Sequence, residues 1–370
     1  MYKHDNRTVL TLDAGGTNFV FSAIQANKEV AAPITLPAHA NDLDKCLSSI
    51  VLGFERIKKE LNENPVAISF AFPGPADYVN GIIGDLPNFP SFKGGVALGP
   101  FLEEKFKVPV FINNDGHLFA FGEALAGVLP QINRQLEAAG SSKRYHNLLG
   151  VTLGTGFGGG AVIDNVLLKG DNHCGGNVWL SANKFDNNLI AEEDVSIRGV
   201  IRNYQQLAKS NEDITPKDVF DIAEGDKKGA KLAAIESFKR LGQAAGFTIA
   251  ESLNIVDGIV VVGGGVSKAH KYILPAMIEE MNSLRTSIAK RHFPRLQMKA
   301  YNLMNEKEKE LFLNDESKEV LIPDTDKYAK YILSKKTGVI VSEMGASKAV
   351  FLGSYNYALS QLDKIEENKK

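Results

Sequence analysis

A chain of 370 residues is longer than one compact core usually holds, so two domains are expected. Its 44% hydrophobic and 23% charged residues, with 14 prolines, exclude a disordered or fibrous protein. Forty-two Lys and Arg against 44 Asp and Glu leave a formal charge of −2, which supplies no global field for nucleic acid or an acidic membrane surface. The start, MYKHDNR, lacks a secretory apolar stretch, and the most apolar windows are short and broken by glycine. The expectation is a cytoplasmic protein with no membrane span. Two cysteines, Cys46 and Cys174, are too few for a disulfide framework or a cysteine zinc site.

The 34 glycines are clustered, and the clusters organise the chain. Val9 to Ile24 reads as strand, tight turn and strand, with Gly15 and Gly16 in the turn. Asn41 to Asn62 carries Leu43, Cys46, Leu47, Ile50, Phe54, Ile57 and Leu61 at helical spacing, which makes Cys46 a core thiol. Val66 to Phe72 is a buried strand ending at Pro73-Gly74-Pro75, and Val108 to Asn113 is another. Asn114-Asp115 follows it, with helix over Leu118 to Leu125, so the acid stands at a strand end, where α/β proteins hold ligands. Residues 127–147 read as an inserted helix or loop.

Leu148 to Val166 repeats the strand, glycine turn and strand, closed by Asp164-Asn165. This weak internal repeat predicts two related domains facing each other across a cleft. Lys231 to Asn254 is helical, Gly258 to Lys268 is a buried strand emptying into a glycine turn, and a helix follows through Met281. Residues 305–336 are charge-rich and interrupted by Pro323, which predicts a surface excursion, and a last helix starts near Ala346.

Three glycine loops carry the chemistry. In Asp13-Ala14-Gly15-Gly16-Thr17-Asn18, an acid beside bare backbone amides can orient hydrated Mg²⁺ while the amides and the Thr17 hydroxyl cradle phosphate; a plain hairpin turn is the bland alternative. Gly154-Thr155-Gly156-Phe157-Gly158 begins a G-x-G-x-x-G string, but Ala161 to Lys169 alternates like strand, so no helix follows to meet a dinucleotide. A phosphate-clamping hairpin fits better. Gly263-Gly264-Gly265 would let an adenosine lie against backbone, or serves only as a strand-to-helix turn. Asn114-Asp115 reads equally as a helix N-cap.

These loops, in this order and with Asn114-Asp115 between the first two, resemble the ROK family of sugar kinases and repressors, within the actin, sugar kinase and Hsp70 superfamily. Agreement extends to Met344–Leu359, which is similar to the family's closing helix. The resemblance implies an α/β protein of two ribonuclease H-like domains with mixed central sheets flanking a cleft. Expected bounds are 1–115, 116–345, and a helix at 346–370 packing back on the first domain. It implies ATP and Mg²⁺, the latter held by Asp13 through water, and a hexose phosphorylated on its 6-hydroxyl, glucose being the commonest. Asp115 would be the base and Asn114 would hold a neighbouring hydroxyl. A homodimer is implied as well.

The departures matter too. Family members carry Gly-Glu-x-Gly-His after the second phosphate loop, whereas Cys174-Gly175-Gly176-Asn177-Val178-Trp179 stands here, so Asn177 replaces the sugar-binding Glu and no structural zinc site is expected. Glu192, four residues before Ser196, matches the family's other sugar-binding glutamate, with Glu193 as the fallback. Asn88, in a proline and aromatic loop, is a hydroxyl contact or part of a rigid surface loop. Trp179 stacks on a sugar or packs in the core. His117 and His173 fall near the site loops without metal-ligand spacing. A repressor would need a DNA-binding segment, and only twelve residues precede Asp13. A silent sugar-binding protein is the remaining alternative, against which the intact Asp13, Asp115 and glycine loops argue.

Overall fold

The computed structural model describes residues 2–74, 76–86 and 89–369. Its contacts divide the chain into two compact units, one of Met1–Gly127, Asn165–Gly175 and Met344–Lys370, the other of Val128–Asp164 and Gly176–Glu343.

In the first unit, β1 (Val9–Ala14) and β2 (Asn18–Gln25) form an antiparallel hairpin around the Gly15-Gly16 turn. The short strands β3 (Lys28–Glu29) and β4 (Ile34–Pro37) pair with β2. On the other side, β5 (Ala67–Ala71) lies parallel to β1 and β9 (Val110–Asn113) parallel to β5, giving the order β3-β2-β1-β5-β9. Central β5 is buried at every residue, as strands covered on both faces are. Helix α1 (Leu43–Lys59) starts at Asp42, whose side chain accepts the Lys45 N–H, and turns Cys46, Ile50, Phe54 and Ile57 inward. Steps of three and four place them on one face, and Phe54 meets Phe21 of the sheet edge-on at 5.2 Å. Strands β6 (Ala76–Asp77), β7 (Ile82–Ile83) and β8 (Val96–Ala97) make a small antiparallel sheet before α2 (Leu98–Phe106).

The expected cut after residue 115 does not match this division. Helix α3 (Asp115–Leu125) and the C-terminal helix α10 (Ala346–Glu367) both belong to the first unit. They cross where neither carries a side chain: a Cβ on Gly122 would stand 1.9 Å from the Ala349 carbonyl oxygen, and one on Gly353 1.9 Å from that of Leu118. Helix α10 also covers the sheet, packing Phe351, Leu352 and Tyr355 against Val9, Ile24 and Ala67. The segment 165–175, with the short strand β12 (Val166–Leu167), belongs here too.

The second unit repeats the plan. Antiparallel β10 (Leu148–Leu153) and β11 (Phe157–Ile163) are followed by parallel β13 (Ile259–Gly263), β19 (Lys336–Val341) and β16 (Lys299–Asn302), in the order β11-β10-β13-β19-β16. Residues 127–147 supply α4 (Val128–Ala138), which buries Val128, Leu129, Ile132 and Leu136 at helical spacing. Helices α5 (Ile197–Ala208), α6 (Pro216–Glu224), α7 (Lys231–Val256) and α8 (His270–Met281) complete the core, with α7 contributing Phe238, Leu241, Ala245 and Ile249. The hairpin of β14 (Leu284–Thr286) and β15 (His292–Pro294) is exposed. The charge-rich stretch forms α9 (Glu306–Leu313) and a second exposed hairpin, β17 (Ser317–Leu321) with β18 (Tyr328–Ile332). Its end at Lys336 belongs instead to the main sheet.

Candidate functional site

Parallel strands deliver their C-terminal ends to one edge of a sheet, and in both units the glycine loops emerge there. In the first unit Asp13 pairs with Ala71 and Ala71 with Asn113, so the first loop and Asn114-Asp115 leave the same edge. Two strand spacings, about 10 Å, separate their starts. The loop is tight: the Gly15 N–H donates to the Asn18 carbonyl at 3.1 Å, and a Cβ on Gly15 would stand 2.9 Å from that oxygen. Gly15, Gly16, Thr17 and Asn18 are exposed, and Asp13 is half-buried beneath them.

Asn114 caps α3, its Oδ1 accepting the Gly116 N–H at 2.9 Å and the His117 N–H at 3.4 Å. Asp115 is the first helical residue, and its own Oδ1 accepts the Gly116 N–H at 2.9 Å. The cap and the candidate base are therefore neighbours in one turn. The Asp115 side chain is open to solvent at its surface but set deep among protein atoms, and desolvation there pushes its carboxyl above the usual carboxylate range. The Gly116 N–H opposes that rise and the Asp13 carboxylate adds to it.

Behind this pair lie residues that sequence spacing leaves weakly marked. Buried His117 points Nδ1 at the Asn113 Oδ1, 3.1 Å away, and Nε2 at the Gly175 carbonyl, 2.5 Å away. Lys169 donates to the Tyr357 hydroxyl at 3.2 Å. His173 adopts a left-handed backbone, φ +54°, in the same segment. Cys174 is exposed, with its thiol against the Asn172 carbonyl, and Cys46 is buried, which pushes its thiol up to about 11.

In the second unit β10 and β13 run parallel with Thr152 beside Gly263, so the second and third glycine loops also share an edge. The Gly154 N–H donates to the Gly156 carbonyl, and the Gly154 carbonyl accepts the Ile197 N–H at 2.9 Å. Thr155 is exposed, whereas Gly156 and Gly158 are half-buried. The strand β11 that follows confirms a hairpin in place of a dinucleotide-binding turn and helix. Gly264 has φ +86° and leaves only 2.4 Å between a Cβ and the Leu153 carbonyl oxygen, so glycine is required there. Gly265 beside it is exposed, with nothing within 4 Å of a Cβ position, an open backbone face against which a flat ring fits.

Glu192 comes to the second loop. Its Oε2 accepts the Phe157 N–H at 3.0 Å, while Arg198 donates to Oε1 at 3.2 Å. Glu193 turns away to Arg202, at 3.0 Å. Buried Asp194, unmarked by any sequence motif, anchors this turn: burial would raise its pKa, but hydrogen bonds from Asn183 and Asn203 and the charges of Arg240 and Arg202 hold it below the usual range. Asn177 is exposed and its side chain caps nothing, leaving both amide groups open. Trp179 packs, partly buried, against the core of the second unit. Asn88 lies outside the described residues.

Among the described residues no group of three or more His, Cys, Asp or Glu side chains is placed to hold a metal ion, and no helix is long and apolar enough to cross a membrane. The model of the ROK family matches residues 9–302. The crystal structure of a glucokinase from Parabacteroides distasonis ATCC 8503 is 56% identical, covers 97% of this chain and 99% of its own, and superposes with a TM-score of 0.87. A glucokinase from Thermotoga maritima is 25% identical over 297 residues, 74% of this chain and 86% of that protein. An N-acetyl-D-glucosamine kinase from Photobacterium profundum is 27% identical over 274 residues, 69% and 83% of the two chains. The repeated hairpin-plus-parallel sheets are those of two actin-like, ribonuclease H-type domains.

Proposed function

Because this chain belongs to the ROK family, we propose that it is an ATP-dependent sugar kinase that moves the γ-phosphoryl group to a hexose hydroxyl, with the 6-hydroxyl of glucose as the first candidate. The observation that carries this reading is Asp115: a solvent-accessible carboxylate in the first turn of a helix, on the same sheet edge as the Asp13–Asn18 loop, with its proton affinity raised by desolvation. The names of the glucokinase and N-acetylglucosamine kinase relatives support the reaction class.

Phosphoryl transfer asks a protein for alignment and for stabilisation of charge more than for covalent chemistry. A sugar hydroxyl is too weak an acid to be ionised beforehand, so Asp115 orients the alcohol and accepts its proton late in the transfer. Asn114 spends its oxygen on the helix cap, and its amide, beside the Tyr78 hydroxyl, keeps an N–H to donate to a neighbouring sugar hydroxyl. The exposed amides of Gly16 and Asn18, the Thr17 hydroxyl, the turn that Gly15 closes, and the loop of Gly154, Thr155, Gly156 and Gly158 are suited to phosphate oxygens. Gly263, Gly264 and Gly265 offer bare backbone to adenosine. Asn177 and Glu192 are the sugar contacts of the second unit in this reading, and Asn88 keeps its place as an expected one.

The donor set fits magnesium, which usually keeps its waters and takes one or two carboxylates plus substrate phosphates. Half-buried Asp13 at the root of the amide loop is such a carboxylate. Bound there, the ion would neutralise phosphate charge. A coupled ADP-release assay with MgATP against hexoses and N-acetylhexosamines, beside Asp115→Ala, tests the proposal. Sugar-dependent release that disappears in the variant supports it and names the substrate class; wild-type release at background with every sugar overturns it.

A further inference from the structure

Five residues from three separate segments of the first unit form a ring of polar neighbours behind Asn114 and Asp115. Lys169 donates to the Tyr357 hydroxyl at 3.2 Å and also lies over that ring, 5.5 Å from its centre. Buried Asn113 is the side chain beside the Tyr357 hydroxyl: burial pushes the phenol up to about 12 and Asn113 pulls it back. Among the described residues the Asn113 Nδ2 has no hydrogen-bond partner, so this link is one of proximity. Its Oδ1 accepts the Asn114 N–H at 2.8 Å, which fixes the orientation of the amide, and faces His117 Nδ1 at 3.1 Å. His117 Nε2 reaches the Gly175 carbonyl, whose own N–H donates to the Lys169 carbonyl at 2.9 Å and closes the ring.

Both nitrogens of the His117 imidazole thus face oxygen acceptors, and a neutral ring has one N–H. Burial holds the ring neutral against the Gly175 carbonyl, with the charges of His173 and Lys169 acting in the same sense. The Asn113 Oδ1 already accepts the Asn114 N–H, so the ring's N–H is assigned to Nε2, facing the Gly175 carbonyl. We propose that His117 is a positioning residue that latches the 169–175 loop onto the helix carrying Asp115 and so sets the affinity for the sugar. The loop runs directly into Asn177, the sugar contact of the proposed function, and the latch lies two residues past Asp115 in the same helical turn. Among the described residues no member of the ring hydrogen-bonds a glycine loop, so nucleotide affinity is expected to be independent of it. The inference rests on the kinase reading for its substrate and on geometry alone for the latch.

A pair of amide variants separates the two nitrogens. Gln carries its amide nitrogen near the reach of Nε2, Asn near that of Nδ1. His117→Gln is expected to keep the sugar KM within about twofold, while His117→Asn raises it about tenfold with kcat and the ATP KM nearly unchanged. Hydrogen exchange over 169–176 reads the latch without turnover: the Asn variant exchanges faster and the Gln variant as wild type. Equal sugar KM values, or equal exchange, in the two variants overturn the proposal. Should the Asn variant fail to fold, Tyr357→Phe removes the Lys169 acceptor at the other end of the loop and keeps the ring. Faster exchange with a raised sugar KM is then expected, and wild-type values overturn the proposal. If wild type turns over no sugar, the kinase reading fails and with it the sugar role of His117, while the exchange comparison still decides the latch.

Discussion

Glu192 lies across the second glycine loop, its Oε2 accepting the Phe157 N–H at 3.0 Å and standing where a Cβ on Gly156 would approach to 2.4 Å. The residue that family resemblance assigns to a sugar hydroxyl is therefore also the strut of a phosphate-type loop. A carboxylate has lone pairs for both tasks, but its geometry ties them together. Glu192→Gln keeps an acceptor for Phe157 and loses the charge opposite Arg198; Glu192→Ala loses both. A hydrogen bond to a charged group contributes about 1.5–3 kcal/mol. The expected loss in kcat/KM is about tenfold for Gln and about a hundredfold for Ala, with the ATP KM rising along with the sugar KM. An ATP KM that stays at the wild-type value in the Ala variant contradicts the strut.

Asp115 yields a prediction in which activity and stability move in opposite directions. Its folded pKa is raised, so between the unfolded value, about 3.9, and the folded one the native state binds the extra proton, and stability falls as pH rises through that window. Above it the charged carboxylate is a standing cost. Asp115→Asn removes the charge and its repulsion with Asp13, so at neutral pH the variant is expected to melt no lower than wild type. The advantage disappears below the unfolded pKa. Loss of a positioned base costs about 10²–10⁴ in kcat. The acid limb of the wild-type kcat profile is expected above the ordinary aspartate range. A variant that both melts lower and keeps its turnover would refute the assignment.

Local chemistry explains what the sequence revealed. Glycine, aspartate and asparagine announce turns within a few residues, so the hairpins at Gly15-Gly16 and at Gly154–Gly156 and the strand end at Asn114-Asp115 were legible. Contacts made over long separations were not. His117 meets Gly175 58 positions away and Lys169 meets Tyr357 188 positions away, and no periodicity marks either pair. Lys336–Val341 goes unmarked as a buried strand of the main sheet, only Lys336 falling in the charge-rich stretch 305–336, because its apolar core, Val339 to Val341, is too short to stand out. The boundary drawn after 115 failed to place α3 because the helix that covers it lies more than two hundred residues further on.

That same helix pair predicts a sharp intolerance. At the α3–α10 crossing a Cβ on Gly353 would meet the Leu118 carbonyl at 1.9 Å and one on Gly122 the Ala349 carbonyl at 1.9 Å, and both obstacles are backbone. Neither can yield as a side chain tip would, so the helices must separate and α10 must lift from Val9, Ile24 and Ala67. Overpacking of this kind costs about 1–3 kcal/mol or more. Gly353→Ala and Gly122→Ala are each expected to lower the free energy of unfolding by that amount, read from urea titrations. The double variant should cost less than the sum, because one separation relieves both clashes. Additive losses in urea titrations would argue that the two sites yield independently.

Gly264 and Gly265, adjacent in the third loop, separate backbone demand from ligand demand. Gly264 sits at φ +86° with the Leu153 carbonyl 2.4 Å from a Cβ position, so Gly264→Ala has both strain and a clash to absorb. It is expected to destabilise by about 2 kcal/mol or more. Gly265 has an ordinary backbone conformation and nothing within 4 Å of its Cβ position, so Gly265→Ala is expected to melt like wild type. Its new methyl would stand on the open face proposed for adenosine. The expected result is an ATP KM raised several-fold with the sugar KM unchanged, a ratio that a purely structural glycine turn would not alter. A bulkier Gly265→Leu should raise the ATP KM further at constant melting temperature. If both variants bind ATP as wild type does, the adenosine lies elsewhere and the third loop is only a strand-to-helix turn.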